Sequence, residues 1–380
     1  MAVLAFDLDE PESRAARAQI ERVVTEAARL LQAEGAPSQR APELAPAIAL
    51  LRSLDPGLSL EATRDEHGSP ALLVARDGER PTLPLAGRVA RALAERSSLP
   101  VLSRRVARPY AEVAAALARQ GVDVAGVRVR AGLGRGHLVE LAVTAPRGAA
   151  DSAEARACVI EDAIRELLGE QLHDDWIGAV RVAAPRRGAL PVVGGAREPA
   201  TYPLAELGGL VRSAAAAVRA ALPQAPRRRA AGSADWALLE VDADGPESDA
   251  LPCADLVLAS SCAPEAVRCF LGGGPFASAR FSAVGETFAY VALPRGAASA
   301  QAALADRDVL GDAIDDALAR GELGAVVGAG IGVERAYLFV ALRELEASVP
   351  RVAAAARGRT GGWIGFCDDG WEGERVEVGG

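Results

Sequence analysis

Apolar residues recur at helical spacing near the start of the chain. Ile20, Val23, Val24, Ala27, Leu30 and Leu31 predict a long helix over residues 12–33. A proline-rich connector and a short helix ending near Leu54 follow, and "LDPGL" reads as a turn. The pattern then changes to alternation. "LSLEAT" and "ALLVAR" predict a hairpin across "RDEHGSP", and a helix over residues 85–95 closes this N-terminal segment.

From residue 99 a longer pattern begins and later returns. It predicts strand "VLSRRVA", helix "YAEVAAALARQG", strand "VAGVRVR", turn "AGLGRGH", strand "LVELAVT", a helix over 152–168 and strand "WIGAVRV". The second helix carries Val159, Ile160, Ala163, Ile164, Leu167 and Leu168 as an apolar stripe. In the second half, strand "TFAYVAL" leads to a helix with Val309, Leu310, Ala313, Ile314, Ala317 and Leu318 in the same spacing. A glycine-rich hairpin, a helix over 349–356 and strand "GWIGFC" complete it. Both halves read βαββαβ, with "ALAR" ending the first helix and "WIG" opening the last strand.

These parallels predict an α+β protein with an internal duplication of a ferredoxin-like βαββαβ unit, packed as one pseudo-symmetric body. The expected divisions are N-terminal helices and hairpin over 1–98, a first ferredoxin-like unit over 99–185, a linker with one helix over 186–234, and an acidic domain over 235–380 containing the second unit. Strands "WALLEV", "DLVLAS" and "ARFSAV" are expected to enlarge its sheet.

The glycines of "LGAVVGAGIGVERAYLFVAL" invite a phosphate-loop reading, which the local pattern opposes. Gly328, Gly330 and Gly332 are spaced G-x-G-x-G, and Val333 stands where a dinucleotide fingerprint needs its third glycine. A β-rich run follows where that fingerprint needs a helix. The cluster is read as a hairpin in which glycine supplies positive φ, as is "GLGRGH".

Composition narrows the chemistry. The 380 residues include no lysine and no asparagine, which removes Schiff-base, P-loop and general-base lysines. "MAVLAFDLDEPESR" has acids where a signal peptide carries basic residues, and no uncharged apolar run approaches the roughly 20 residues needed to span a bilayer. Five cysteines without CxxC spacing read as reduced thiols, so a cytoplasmic protein away from membranes is expected. Residues 235–380 hold 23 acidic residues against 11 arginines, a net of −12, leaving about +3 for residues 1–234 by difference.

Three candidate chemistries were weighed. Phe288, Tyr290, Tyr337 and Phe339 fall where RRM domains stack bases, but they lie in the acidic half. Arg104, Arg105, Arg128 and Arg130 lie in the other half, which has no aromatic platform. Nucleic acid is therefore disfavoured, with aromatics packed beneath another layer as the plainer account. Cys262 in "LVLASSCAPEAVRCF" stands where a strand turns into a helix, which lowers a thiol's pKa. Its neighbours also read as an ordinary cap around Ser261 or Cys262 with Pro264 and Glu265 behind it, and the histidines His67, His137 and His173 all precede residue 174. "HDDW" (His173, Asp174, Asp175) and "CDDGWEGE" (Cys367, Asp368, Asp369) lack chelating spacing and read as solvated acidic loops, as Glu161–Asp162 and Asp315–Asp316 read as exposed faces. No cofactor and no metal are expected.

The segment "LLRSLDPGLSLEATRDEHGSPALLVARDG", with "ACVIEDAIRELLGEQLHDDWIGAVRV" and "TYPLAELGGLV" further on, resembles a group of functionally unassigned bacterial proteins sharing a "DPGL" hairpin, a helix ending in "LGE" and an "IG" strand. The resemblance covers residues 45–215 and implies a soluble bacterial protein without implying an activity. The residues favour a non-enzymatic binding or interaction protein that engages another protein or a small molecule. The alternative is a hydrolase or transferase in a cleft between the copies, using Cys262 or the carboxylates Asp174 and Asp175 near His173.

Overall fold

Helical and alternating periods become helices and strands across the residues that the structure, a computed structural model, describes. These are residues 11–33, 44–76, 83–146, 153–183, 200–224, 236–240, 253–295, 299–371 and 374–378. The expected linker stretches 184–199 and 225–235, and the acidic start over 1–10, lie outside them. The chain is a mixed α+β protein, with three sheets among the described residues. It divides into a first unit of residues 1–63, 70–103 and 222–380 and a second unit of residues 64–69 and 104–221.

The N-terminal part of the first unit contains α1 (Pro11–Ala33), α2 (Ala45–Arg52), β1 (Leu58–Arg64), β2 (Pro70–Arg76), α3 (Leu83–Ala94) and β3 (Val101–Leu102). Ile20, Val24 and Ala27 of α1 meet Leu51, Leu72, Val74, Val89 and Leu93 in one core. The expected strand over 101–107 is reduced to two residues, and β3 pairs with β2 in parallel.

The second unit holds α4 (Tyr110–Arg119), β4 (Arg128–Leu133), β5 (Val139–Thr144), α5 (Ala153–Trp176), β6 (Ile177–Ala183), β7 (Tyr202–Pro203) and α6 (Leu207–Ala221). Its sheet runs β6-β5-β4-β7, with β5 and β6 adjacent and parallel. That is not the expected βαββαβ sheet, and the reason lies in residues 103–109. Arg108 N donates to Glu166 O at 2.8 Å and Glu170 N donates to Arg105 O at 2.9 Å. Backbone groups needed for a sheet are spent instead on α5, which is broken at Gly169 (φ 73°, ψ 160°). A Cβ at Gly169 would lie 2.7 Å from Ala107 N, so only glycine fits this crossing. The internal duplication is not confirmed.

The remaining elements are β8 (Ala237–Glu240), β9 (Leu256–Ser261), α7 (Pro264–Leu271), β10 (Thr287–Pro294), α8 (Ala300–Ala319), β11 (Gly324–Gly332), β12 (Arg335–Leu342), α9 (Leu345–Ala355), β13 (Gly362–Phe366) and β14 (Arg375–Val378). They form a seven-stranded sheet, β14-β13-β10-β12-β11-β9-β8. Here the expected βαββαβ path is present. β10 to β11 through α8 strides over β12, and β12 to β13 through α9 strides over β10, with antiparallel pairing between all four strands. Leu310, Ile314 and Leu318 of α8 and Val349 and Val352 of α9 bury against Val291, Leu338, Val340 and Ile364. Val309, expected in the same stripe, points outward with 66% exposure.

The glycine reading needs correcting in detail. Gly328, Gly330 and Gly332 lie within β11 rather than in its turn, and Val333–Glu334 make the turn. Their use is close approach, since a Cβ at Gly328 would sit 3.0 Å from Ser260 O and 3.1 Å from Phe339 Cδ2. In "GLGRGH" the turn does use positive φ, at Gly136 and at His137. The strand expected over 279–284 is not formed. Residues 278–280 make one 3-10 turn, and Ser282 Oγ then accepts from Val284 N and Glu286 N.

Candidate functional site

The acidic string His173–Asp174–Asp175 lies in the last turn of α5 rather than in a loop. His173 Nδ1 is 3.0 Å from Asp174 Oδ1, while Asp175 Oδ1 faces Arg104 Nη1 at 3.6 Å. Burial works against ionisation of Asp174, but the His173 hydrogen bond and the charges of His173, Arg165 and Arg104 outweigh it and lower its pKa. At Asp175 burial wins and the pKa rises, with Arg104 opposing and Asp174 adding to the rise. Arg219 lies 5.2 Å from the centroid of the buried Trp176 ring. The three acidic-string side chains thus pair in two directions and do not converge on one point. Of the expected arginine face, Arg105 pairs with Glu170 at 3.3 Å and Arg128 donates to Ala125 O and Val127 O.

Cys262 belongs to the first unit, and His67, His137 and His173 all belong to the second. Its Sγ donates to Val327 O at 3.4 Å, next to Ser261 Oγ, which donates to the same carbonyl at 2.8 Å and accepts from Ala263 N at 2.9 Å. Ser261 thus holds the backbone N–H of Ala263, the N-cap residue of α7, which has no side-chain cap of its own, and Cys262 sits between them as a half-buried residue. The cap expected at Ser261 or Cys262 is not made. The first unit has no histidine to act as a base for Cys262.

The "CDDGW" string is neither a solvated loop nor a chelator. Asp368 Oδ1 accepts from Ser278 N at 2.7 Å and Oδ2 from Ser278 Oγ, and Asp369 Oδ1 accepts from Phe276 N at 3.1 Å. Both carboxylates pin the segment 275–282 against the sheet. Likewise Asp315 Oδ1 takes Val326 N at 2.9 Å, beside the bulge of β11. Among the described residues no group of three or more His, Cys, Asp or Glu side chains could hold a metal. None of their helices is long and apolar enough to cross a membrane.

The sheet face opposite α8 and α9 carries the aromatics. Phe276 stacks on Phe281 at 5.1 Å, Phe270 meets Tyr290 at 5.6 Å, and Tyr290 meets Tyr337 at 6.4 Å. Phe288, Tyr337 and Phe339 are buried, packed with α7 and residues 276–281 rather than presented as a stacking platform. Burial, then the hydrogen bond to Asp255, holds Tyr337 far above the ordinary phenol range. Burial likewise pushes Tyr290 far up and raises the thiols of Cys253, Cys269 and Cys367. These groups stay protonated at neutral pH and pack rather than react.

One end of this face differs from the rest. Register places Tyr337, Ala292 and Trp363 in a row across β12, β10 and β13. Arg335 reaches from β12 across β10 until its guanidinium lies 3.9 Å from the centroid of the half-buried Trp363 ring. Arg375 comes from β14, on the other side of β13, at 5.3 Å. The Trp363 side chain also hydrogen-bonds Tyr290, whose ring occupies the space a Cβ at Gly365 would fill. Arg375 pairs with Glu377 at 2.9 Å. Arg335 makes no ion pair among the described residues, and its Nη1 is closed off from solvent without a hydrogen-bond acceptor. Asp255 is turned to other donors: its carboxylate accepts from Glu334 N, Arg335 N and the Tyr337 hydroxyl.

Sequence reasoning missed this cluster because it needs three strands in register. The signal available was modest: Arg335, Tyr337 and Phe339 alternate along one strand, and Trp363 alternates with Gly365 along another. Compared with known proteins, the chain matches no family model, no curated protein and no solved structure.

Proposed function

We propose that this chain is a non-enzymatic binding protein, and that its ligand is held where Arg335 lies over Trp363 on the seven-stranded sheet. The ferredoxin-like path of β10 to β13 leaves one sheet face without its two crossover helices, and such faces host many binding functions. The observation that carries the reading is the buried Nη1 of Arg335 without an acceptor. A cation part-shielded from water and lacking an anion carries an uncompensated desolvation cost, which a ligand acceptor offsets. Against a hydrolase or transferase, Cys262 is engaged by a backbone carbonyl, and Asp174 and Asp175 are tied to His173 and Arg104.

The test compares variants of the full-length protein in a thermal-shift screen of small organic acids. Arg335→Gln removes the stabilising shift, whereas Cys262→Ala and Asp174→Ala retain it. A shift abolished by Cys262→Ala or Asp174→Ala but kept by Arg335→Gln refutes the reading and revives the enzyme.

A further inference from the structure

Resting on the binding site just described, we infer that its ligand is a compact monocarboxylate carrying an apolar body, and neither a phosphate nor a polyanion. Charge balance sets the class. Arg335 and Arg375 bring two positive charges to the Trp363 ring, and Glu377 already pairs with Arg375 at 2.9 Å. Among the described residues Arg335 is left without an ion pair, and a single carboxylate supplies one. The Asp255 carboxylate is held by the amides of Glu334 and Arg335 and by the Tyr337 hydroxyl, so it already places a negative charge beside the start of β12.

The wider field points the same way. Residues 235–380 carry 23 acidic residues against 11 arginines. A dianionic phosphate leaves excess negative charge inside an already negative region, and a nucleic acid strand extends its charges across it. Arg335 offers the planar fork that a carboxylate matches with two parallel hydrogen bonds. The rings of Trp363 and Tyr290, both half-buried, supply apolar surface next to that fork. Together they select a molecule with a flat charged head and an apolar body.

Isothermal titration calorimetry of the full-length protein with phenylacetate and, separately, inorganic phosphate tests the class. Arg335→Gln, Arg335→Lys and Trp363→Phe are titrated in parallel after their melting temperatures confirm folding. Phenylacetate is expected to bind the wild type, to weaken about tenfold or more with Arg335→Gln, and to weaken less with Arg335→Lys, which keeps the charge but not the fork. Phosphate is expected to give no measurable heat of binding.

Binding of phosphate that is lost in Arg335→Gln, without binding of phenylacetate, overturns the carboxylate class and leaves the site standing. Phenylacetate binding unchanged by both Arg335→Gln and Trp363→Phe overturns the site itself. Absence of binding by either probe overturns the monocarboxylate proposal. Should Arg335→Gln fail to fold, the Lys and Phe variants carry the same comparison.

Discussion

Two hairpins of this molecule share glycine-rich strings and end in different settings. In the second unit, β4–β5 is flanked by the parallel β6 and the two-residue β7, and β4 is largely exposed. In the first unit, β11–β12 is flanked by β9 and β10, both antiparallel, and both strands are buried almost throughout. The glycines follow the setting. Nothing lies within 4 Å of a Cβ built on Gly132, whereas one on Gly328 meets Ser260 O at 3.0 Å. Gly132 is idle surface in one hairpin, and Gly328 is a requirement of layer packing in the other. Glycine spacing in a string therefore does not announce a role until the neighbours on both faces are known.

The difference between the units can be pressed hardest at Gly169. Its backbone lies in a region that only glycine occupies, and a Cβ meets Ala107 N. Gly169→Ala is expected to destabilise the second unit by about 3 kcal/mol. Amide hydrogen exchange should accelerate at 105–108 and 153–176 while β10 to β13 keep their protection. Equal loss of protection in both units breaks the division between them.

Asp368→Ala is the corresponding change in the first unit. It strands Ser278 N and takes the acceptor from the Ser278 hydroxyl proton, and should cost about 2–3 kcal/mol in urea unfolding. Protection should fall at 275–282 and not in α5. An unchanged midpoint refutes the pinning role.

The hairpins themselves give a smaller contrast. Gly328→Ala should lose about 1–3 kcal/mol because Ser260 O and Phe339 crowd the new methyl, whereas Gly132→Ala should stay within about 0.5 kcal/mol of wild type. Parallel thermal melts decide it, and equal losses for both dissolve the distinction between the two hairpins.

The mildest effect is expected from pH. Asp175 has its folded pKa raised, mainly by burial, so the native state holds its proton more tightly than the unfolded chain. Its contribution to stability is full below the unfolded carboxylate range and is lost as pH rises through the raised folded value. Asp175→Asn removes that dependence, so the stability difference between variant and wild type should move in the variant's favour from acid to neutral pH. A difference that is flat with pH, in urea titrations at each pH, contradicts the burial assignment. Asp174 works in the opposite sense: its lowered pKa gives stability that is lost as pH falls.

Much of the secondary structure was legible because burial on one side imposes a period. Ile20, Val24 and Ala27 of α1, Ile160 and Ile164 of α5, and Leu310, Ile314 and Leu318 of α8 are buried as their spacing predicts. The aromatics at 288, 337 and 339 were legible as packing residues for the same reason. The β14 strand and the two-residue β7 were not, since four residues and two residues carry too short a period to register. The candidate site was the least visible part. Arg335, Trp363 and Arg375 are separated by 28 and 12 positions and meet only because β12, β13 and β14 lie in one sheet.

What the sequence determined by itself is local: which segments are helical, which are extended, which face of each is apolar, and that a chain without lysine forgoes lysine chemistry. Strand partnership was decided by tertiary structure. Two halves with the same order of elements diverge because residues 105–108 spend their backbone hydrogen bonds on the break of α5, while residues 287–294 spend theirs on β12 and β13. Every backbone donor must find an acceptor, and the pattern of apolar positions does not say which one.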